Sequence, residues 1–157
     1  MTDLSCRCAR LVGRRYGGSR QSRAAQADSP VCGDVQQDQK GTAQGTWFPK
    51  GLKNTGKYQR PELSLIHDYV NPKIGAIAIG FDAELDPAVY FFNPTDSGFI
   101  NRDFKDVIND GNVYCYDNLY NQWDSYKTSL PISILVQLTS PTTLKIGENK
   151  GASCGED

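Results

Sequence analysis

The sequence predicts an all-β fold, and three observations carry that prediction. Beyond residue 30 the chain breaks into about seven short segments rich in β-branched and aromatic residues. Gly, Pro, Asn and Asp punctuate them every 8–15 residues, the spacing of a sandwich or barrel. No stretch sustains the apolar period of a long helix. Aromatic content follows the same division, because both Trp, seven of the eight Tyr and all six Phe lie after residue 30. The expected architecture is a single small antiparallel barrel or sandwich over residues 31–157, behind a disordered basic tail at 1–30.

The elements follow in chain order. Residues 1–30 hold six Arg and two Asp with no Lys, a net charge of +4. They lack any helical or strand period and read as a floppy terminus that cannot offset its ordering entropy. Polar residues 32–40 lead into Gly45-Thr46-Trp47-Phe48, where the two aromatics mark a first strand. Pro49, Gly51, Asn54-Thr55-Gly56 and Pro61 form a turn-rich stretch. Glu62–Val70 alternates Leu63, Leu65, His67 and Tyr69 against Ser64, Ile66, Asp68 and Val70, the period of a half-buried strand. After Asn71-Pro72, Gly75–Phe81 sets Ile77, Ile79 and Phe81 against Ala76, Ala78 and Gly80. A face of such small residues suits the close approach of a ligand or a second layer.

Val89–Phe92 is the next strand, closed by Asn93-Pro94. Phe104, Val107 and Ile108 fit about one helical turn. Asp110-Gly111 is a hairpin signal ahead of a strand at Asn112–Asp117. Asn118–Ser129 is an aromatic loop, Ile132–Leu138 sets Ile132, Ile134, Val136 and Leu138 against Ser133, Leu135 and Gln137, and Ser140-Pro141 turns into a strand at Thr142–Ile146. A polar end follows at Gly147–Asp157.

Charge and hydropathy narrow the function classes. Residues 31–157 carry a net charge of −5, so a nucleic-acid partner is not expected of this domain. The longest apolar runs, Ile74–Phe81 and Ile132–Leu138, fall far short of the ~20 residues of a membrane-spanning helix. Leu11-Val12 is too short for a signal h-region, which takes ~7–15 apolar residues. The cysteines point the other way. Cys32, Cys115 and Cys154 include no Cys-x-x-Cys pair, and a single His leaves no metal set. A Cys near each end of a small β domain suits an exported protein. Two readings stand: a cytoplasmic protein with free thiols, or a secreted or periplasmic domain behind a non-native start at residues 1–30. The second is favoured.

Gly45-Thr46-Trp47 after a short polar lead-in resembles the Gly-x-Trp signature of lipocalins and other calycin barrels. That resemblance implies an eight-stranded barrel with Trp47 closing its base, and a disulfide from a middle strand to the chain's end. Two family features are missing. His67-Asp68-Tyr69 only echoes the Thr-Asp-Tyr motif, and no Arg follows Arg102 to pack over the Trp. A barrel would also want a further strand after Cys154, so the C-terminus reads as truncated. Of the possible pairings, Cys115–Cys154 ranks first and Cys32–Cys154 second.

Candidate chemistry is sparse. His67 is the only base for a nucleophile–base catalyst, and a buried structural His is favoured. Asp82, Glu84 and Asp86, with Asp96 beyond, make an oxygen-rich turn without the Gly and distal Glu of a Ca²⁺ loop. Asp103, Asp106, Asp110 and Asp117 offer carboxylates, but residue type alone selects no pair. Tyr116, Tyr120, Trp123 and Tyr126 interleave with Asn118, Asn121, Gln122 and Asp124. They serve either as a ligand-binding aromatic surface or as a cap on the core. No cofactor or metal is expected. The favoured function is non-catalytic binding of a small apolar ligand, a glycan or a protein partner. A small hydrolase using His67 or a carboxylate pair, and a structural accessory domain of a larger secreted protein, are the alternatives.

Overall fold

Residues with alternating inward side chains assemble the protein in the computed structural model, which describes residues 37–48, 63–80, 85–121, 128–151 and 153–155. The expected tail at 1–30 lies outside the described residues. Seven strands are present among them: β1 (Gly45–Trp47), β2 (Leu63–His67), β3 (Gly75–Ile79), β4 (Ala88–Phe92), β5 (Tyr114–Tyr116), β6 (Ile132–Ser140) and β7 (Thr143–Lys150). A short 3₁₀ helix spans Phe104–Asp106.

The strands form two antiparallel meanders, one of order β1-β2-β3-β4 and one of order β5-β6-β7. Two open sheets replace the closed calycin-like barrel that the sequence favours. Closure depends on ladders between strands distant in sequence. Among the described residues, the backbone pairing of β4 with the second half of the chain is an isolated bridge, Phe91 to Tyr120. One apolar cluster joins the inner faces of both sheets. Leu63, Leu65, Ile77, Ile79, Tyr90 and Phe92 come from the first sheet, and Tyr114, Tyr116, Ile134 and Val136 from the second, with Phe104 and Val107 beside them. The outer face of β3 carries a second, small cluster in which Ala76 packs with Phe91 and Tyr120. The small-residue face is thus covered by the chain's own aromatics around Ala76.

Gly75 pairs with Phe92 across the β3–β4 ladder. A Cβ at Gly75 would overlap the Phe92 ring, so only glycine lets that ring lie flat on the strand. The ring then meets Phe104 and Tyr116 edge-on, with centroids 5.2 and 4.9 Å away, and Phe104 lies 5.0 Å from Tyr116. Such pairs stabilise beyond their burial by ~0.5–1.5 kcal/mol each. The trio links the first sheet, the 3₁₀ helix and the second sheet.

Three local expectations change. Asp110-Gly111 does not close a hairpin between strands. Ile108, on its N-terminal side, bridges Thr42, and β5 pairs with β6. The Asp110 carboxylate instead accepts from the Asn112 amide and the Tyr114 hydroxyl, and Gly111 takes φ +83°. Tyr69 lies past the end of β2 and is exposed. The polar stretch from Gly147 continues β7 to Lys150, because its backbone completes the ladder to Ile132.

Cys115 and Cys154 form a disulfide, the first-ranked pairing, while Cys32 lies outside the described residues. Cys115 is the outward residue between inward Tyr114 and Tyr116. Asp117 supports the same junction. It accepts from Asn101 Nδ2, Asn118 Nδ2 and the Cys154 amide, and its own amide donates to Asn101 Oδ1 at 2.9 Å. Closing a loop with a sequence separation of 39 stabilises by roughly 3–4 kcal/mol through lost denatured-state entropy. Cys115→Ala should therefore lower unfolding stability by roughly that amount in urea titration. An unchanged midpoint in the oxidised protein would show that the bridge adds no constraint.

Candidate functional site

The four aromatics singled out by the sequence do not come together. Tyr116 alternates inward with Tyr114 on β5 and is fully buried, its hydroxyl donating to the Arg102 carbonyl at 2.9 Å. Burial holds its phenol well above the ordinary tyrosine range. Tyr120 belongs to the other cluster, stacked on Phe91 at 5.9 Å. Both rings are therefore buried, each in a different apolar cluster. Trp123 and Tyr126 lie outside the described residues.

His67 ends β2 opposite Gly75. Its Nε2 lies 3.1 Å from Asp103 Oδ1, and Lys105 Nζ lies 2.9 Å from Asp103 Oδ2. Asp103 precedes the 3₁₀ helix as its N-cap and accepts from the Lys105 amide. Burial pushes the Asp103 carboxyl up. The hydrogen bonds from His67 and Lys105 outweigh that and hold it well below the usual carboxylate range. The same pairing raises the Lys105 ammonium. The His67 backbone is committed as well. Gln37 Nε2 donates to its carbonyl at 2.8 Å, and its amide donates to Gln37 Oε1 at 2.6 Å. Among the described residues no hydroxyl or thiol is bonded to His67.

Three other acidic candidates are also engaged. Asp86 pairs with Lys150 at 2.7 Å, and Asp106 lies 3.8 Å from Arg102. Tyr114 donates to Asp110 at 2.7 Å. Burial and that bond push its phenol up to about 12. Asp82 and Glu84 lie outside the described residues. Among the described residues no group of three His, Cys, Asp or Glu is placed to hold a metal.

A concave site lies elsewhere, at the free side of β1. Its walls are the lead-in segment from Asp38 to Thr42, Gln44, β1 with Phe48, and the β6–β7 turn at Pro141-Thr142, around a cavity of about 440 Å³. The lead-in folds back on itself. Gln39 N donates to the Gln44 carbonyl at 2.9 Å, and Thr42 Oγ1 donates to the Gln39 carbonyl at 2.9 Å. Asp38 Oδ1 accepts from the Thr46 amide at 2.9 Å, which caps one exposed group of the β1 edge. Gly45 takes φ +146°, and a Cβ there would come within 2.9 Å of that same oxygen. Trp47 donates from Nε1 to the Ala43 carbonyl at 2.9 Å and packs against the main core. These contacts hold Gly45-Thr46-Trp47 between the lead-in segment and the core. Gln44 Nε2 donates to the Gln37 carbonyl at 2.9 Å, so the pocket wall and the His67–Asp103 pair share one partner.

Sequence reasoning placed Trp47 and Phe48 in a strand but did not find this pocket. The available signal was a run of amides and small residues, Gln37 to Gly45, immediately ahead of two aromatics. No protein family, curated protein or solved structure matches the chain.

Asp103 gives a pH dependence with a defined sign. Its folded-state value is lowered from 3.8, so its contribution is complete above about pH 4 and is lost as pH falls through the lowered value. Asp103→Asn should cost about 1–3 kcal/mol at neutral pH, because His67 and Lys105 lose a charged partner. Urea unfolding of both proteins at neutral pH and at about pH 3 checks this. The gap between them should narrow in acid, and an equal gap at both pH values would remove Asp103 as the titrating group.

Proposed function

We propose that this domain is a non-catalytic binding module whose ligand occupies the pocket between the lead-in segment, β1 and the β6–β7 turn. The carrying observation is that cavity of about 440 Å³ beside Trp47 and Phe48, within the range of small-ligand sites. Its walls combine a half-exposed aromatic, Phe48, with hydroxyl and amide side chains, the mixture that orients a small molecule. The Cys115–Cys154 disulfide supports an exported setting, where such bonds persist.

A hydrolytic reading would centre on His67 and Asp103, whose 3.1 Å contact has the form of a base and its orienting carboxylate. The second Asp103 oxygen is held by Lys105 and both His67 backbone groups by Gln37. These bonds favour a role in fixing the end of β2.

A small-molecule screen followed by amide and indole NMR shifts tests the proposal. Binders should move the Thr46 and Thr142 amides and the Trp47 indole N–H in a saturable manner. Binders whose shifts centre on His67 and Lys105, with slow conversion of the compound, would replace this reading with the hydrolytic one.

A further inference from the structure

We infer that the β1 pocket takes a neutral saccharide, an assignment that rests on reading this pocket as the binding site. The argument starts from charge. Asp38 and Lys40 are the charged residues on its walls, one of each sign. The site therefore offers no net attraction to an anionic or cationic ligand.

Hydrogen-bonding capacity comes next. Asp38 Oδ1 is committed to Thr46 N, which leaves Oδ2 as an acceptor without a partner among the described residues. Thr46, Thr142 and Gln39 line the same cavity, and their hydroxyls and side-chain amide have no hydrogen-bond partner among the described residues. Gln44, whose side chain is tied to Gln37 through Nε2, lines the cavity too. Together these groups both donate and accept. That is the requirement of a ligand rich in hydroxyls, each of which donates one bond and accepts others. A wholly apolar ligand would leave them desolvated and unpaired.

The aromatic residues supply the other half of the chemistry. A pyranose has apolar C–H faces between its hydroxyls. Phe48 is 49% exposed at the cavity, and Trp47 lines it with its indole N–H already bonded to Ala43. The exposed Phe48 ring offers a π face, which attracts positively polarised C–H groups. The wall is also built rather than loose. Gly45 and Asp38 hold β1 to the lead-in, and the Thr142 amide donates to Ser140 Oγ at 3.2 Å in the β6–β7 turn.

The test uses the full chain and three probe sets: neutral disaccharides (cellobiose, lactose, maltose, mannobiose and chitobiose), palmitate, and a sulfated heparin disaccharide. At least one neutral disaccharide should shift Thr46, Thr142 and the Trp47 indole N–H. Its affinity should change little between about 50 mM and about 500 mM salt, because no charge pair is involved. Phe48→Ala should weaken that binding about tenfold while leaving the spectrum folded, since Phe48 is half exposed. Gln39→Ala should also weaken it, a second variant with no core contact to lose. Palmitate or the heparin disaccharide shifting these resonances, with every neutral disaccharide silent, would overturn the saccharide assignment and keep the pocket as the binding site. Silence from all three sets would overturn both. Disaccharide binding unaffected by Phe48→Ala would overturn the stacking argument and the assignment with it.

Discussion

The Phe92 ring lies against the backbone of Gly75, and the positions of the other elements follow from that contact. A side chain at residue 75 would push the ring away. With glycine there, the ring sits low enough to meet Phe104 and Tyr116 edge-on. The connection between β4 and β5 is thereby pinned in the core at Phe104. Asp103, one residue earlier, is carried to His67, which is the cross-strand neighbour of Gly75. Gln37 then grips the His67 backbone and accepts from Gln44. A packing contact in the core is in this way continuous with the wall of the pocket. No single hydrogen bond in that series is worth more than about 1–3 kcal/mol. Burial of the aromatic trio provides the larger share, at roughly 1.5–3 kcal/mol per fully buried large side chain.

A separate set of polar bonds organises the opposite end of the second sheet. Asn101 and Asn118 adopt positive φ of 54° and 50°, conformations that asparagine tolerates better than most residues. Both turn their side chains to Asp117. The loop at Thr95–Arg102 pairs with Cys115 through backbone bonds from Asn101 N and to Phe99 O. The disulfide therefore ties the chain's end to a strand whose other neighbours are already fixed, so it stabilises without having to bend the fold.

The strands were legible because each buries one face, and a two-residue alternation records that directly. Leu63 and Leu65 against Ser64, or Ile134 and Val136 against Leu135, leave little freedom of register. Sheet closure was not legible, since inward residues alternate alike in a barrel and in two facing sheets. The extent of β7 was hidden because Gly147, Glu148, Asn149 and Lys150 have weak strand preference, and the ladder with β6 overrides it. Tyr116 and Tyr120 look like surface residues beside Asn and Asp. Yet Tyr116 reaches a backbone carbonyl with its hydroxyl and Tyr120 finds Phe91 to stack on, so each buries its ring. Cys154 could be ranked as a disulfide partner because a Gly-flanked end frays unless it is tied. The pocket was invisible because it joins residue 38 to residue 142 across the fold.

A double-mutant cycle on Gly75 and Phe92 tests the central contact most directly. Gly75→Ala alone should destabilise by about 1–3 kcal/mol, the usual cost of overpacking a core. In a Phe92→Leu background that cost should shrink by about 1 kcal/mol or more, because the ring that obstructs the methyl group is gone. Urea unfolding of the four proteins gives the coupling energy. Additivity within ~0.5 kcal/mol would mean that the ring does not rest on Gly75, and would contradict the account of how the two sheets are joined.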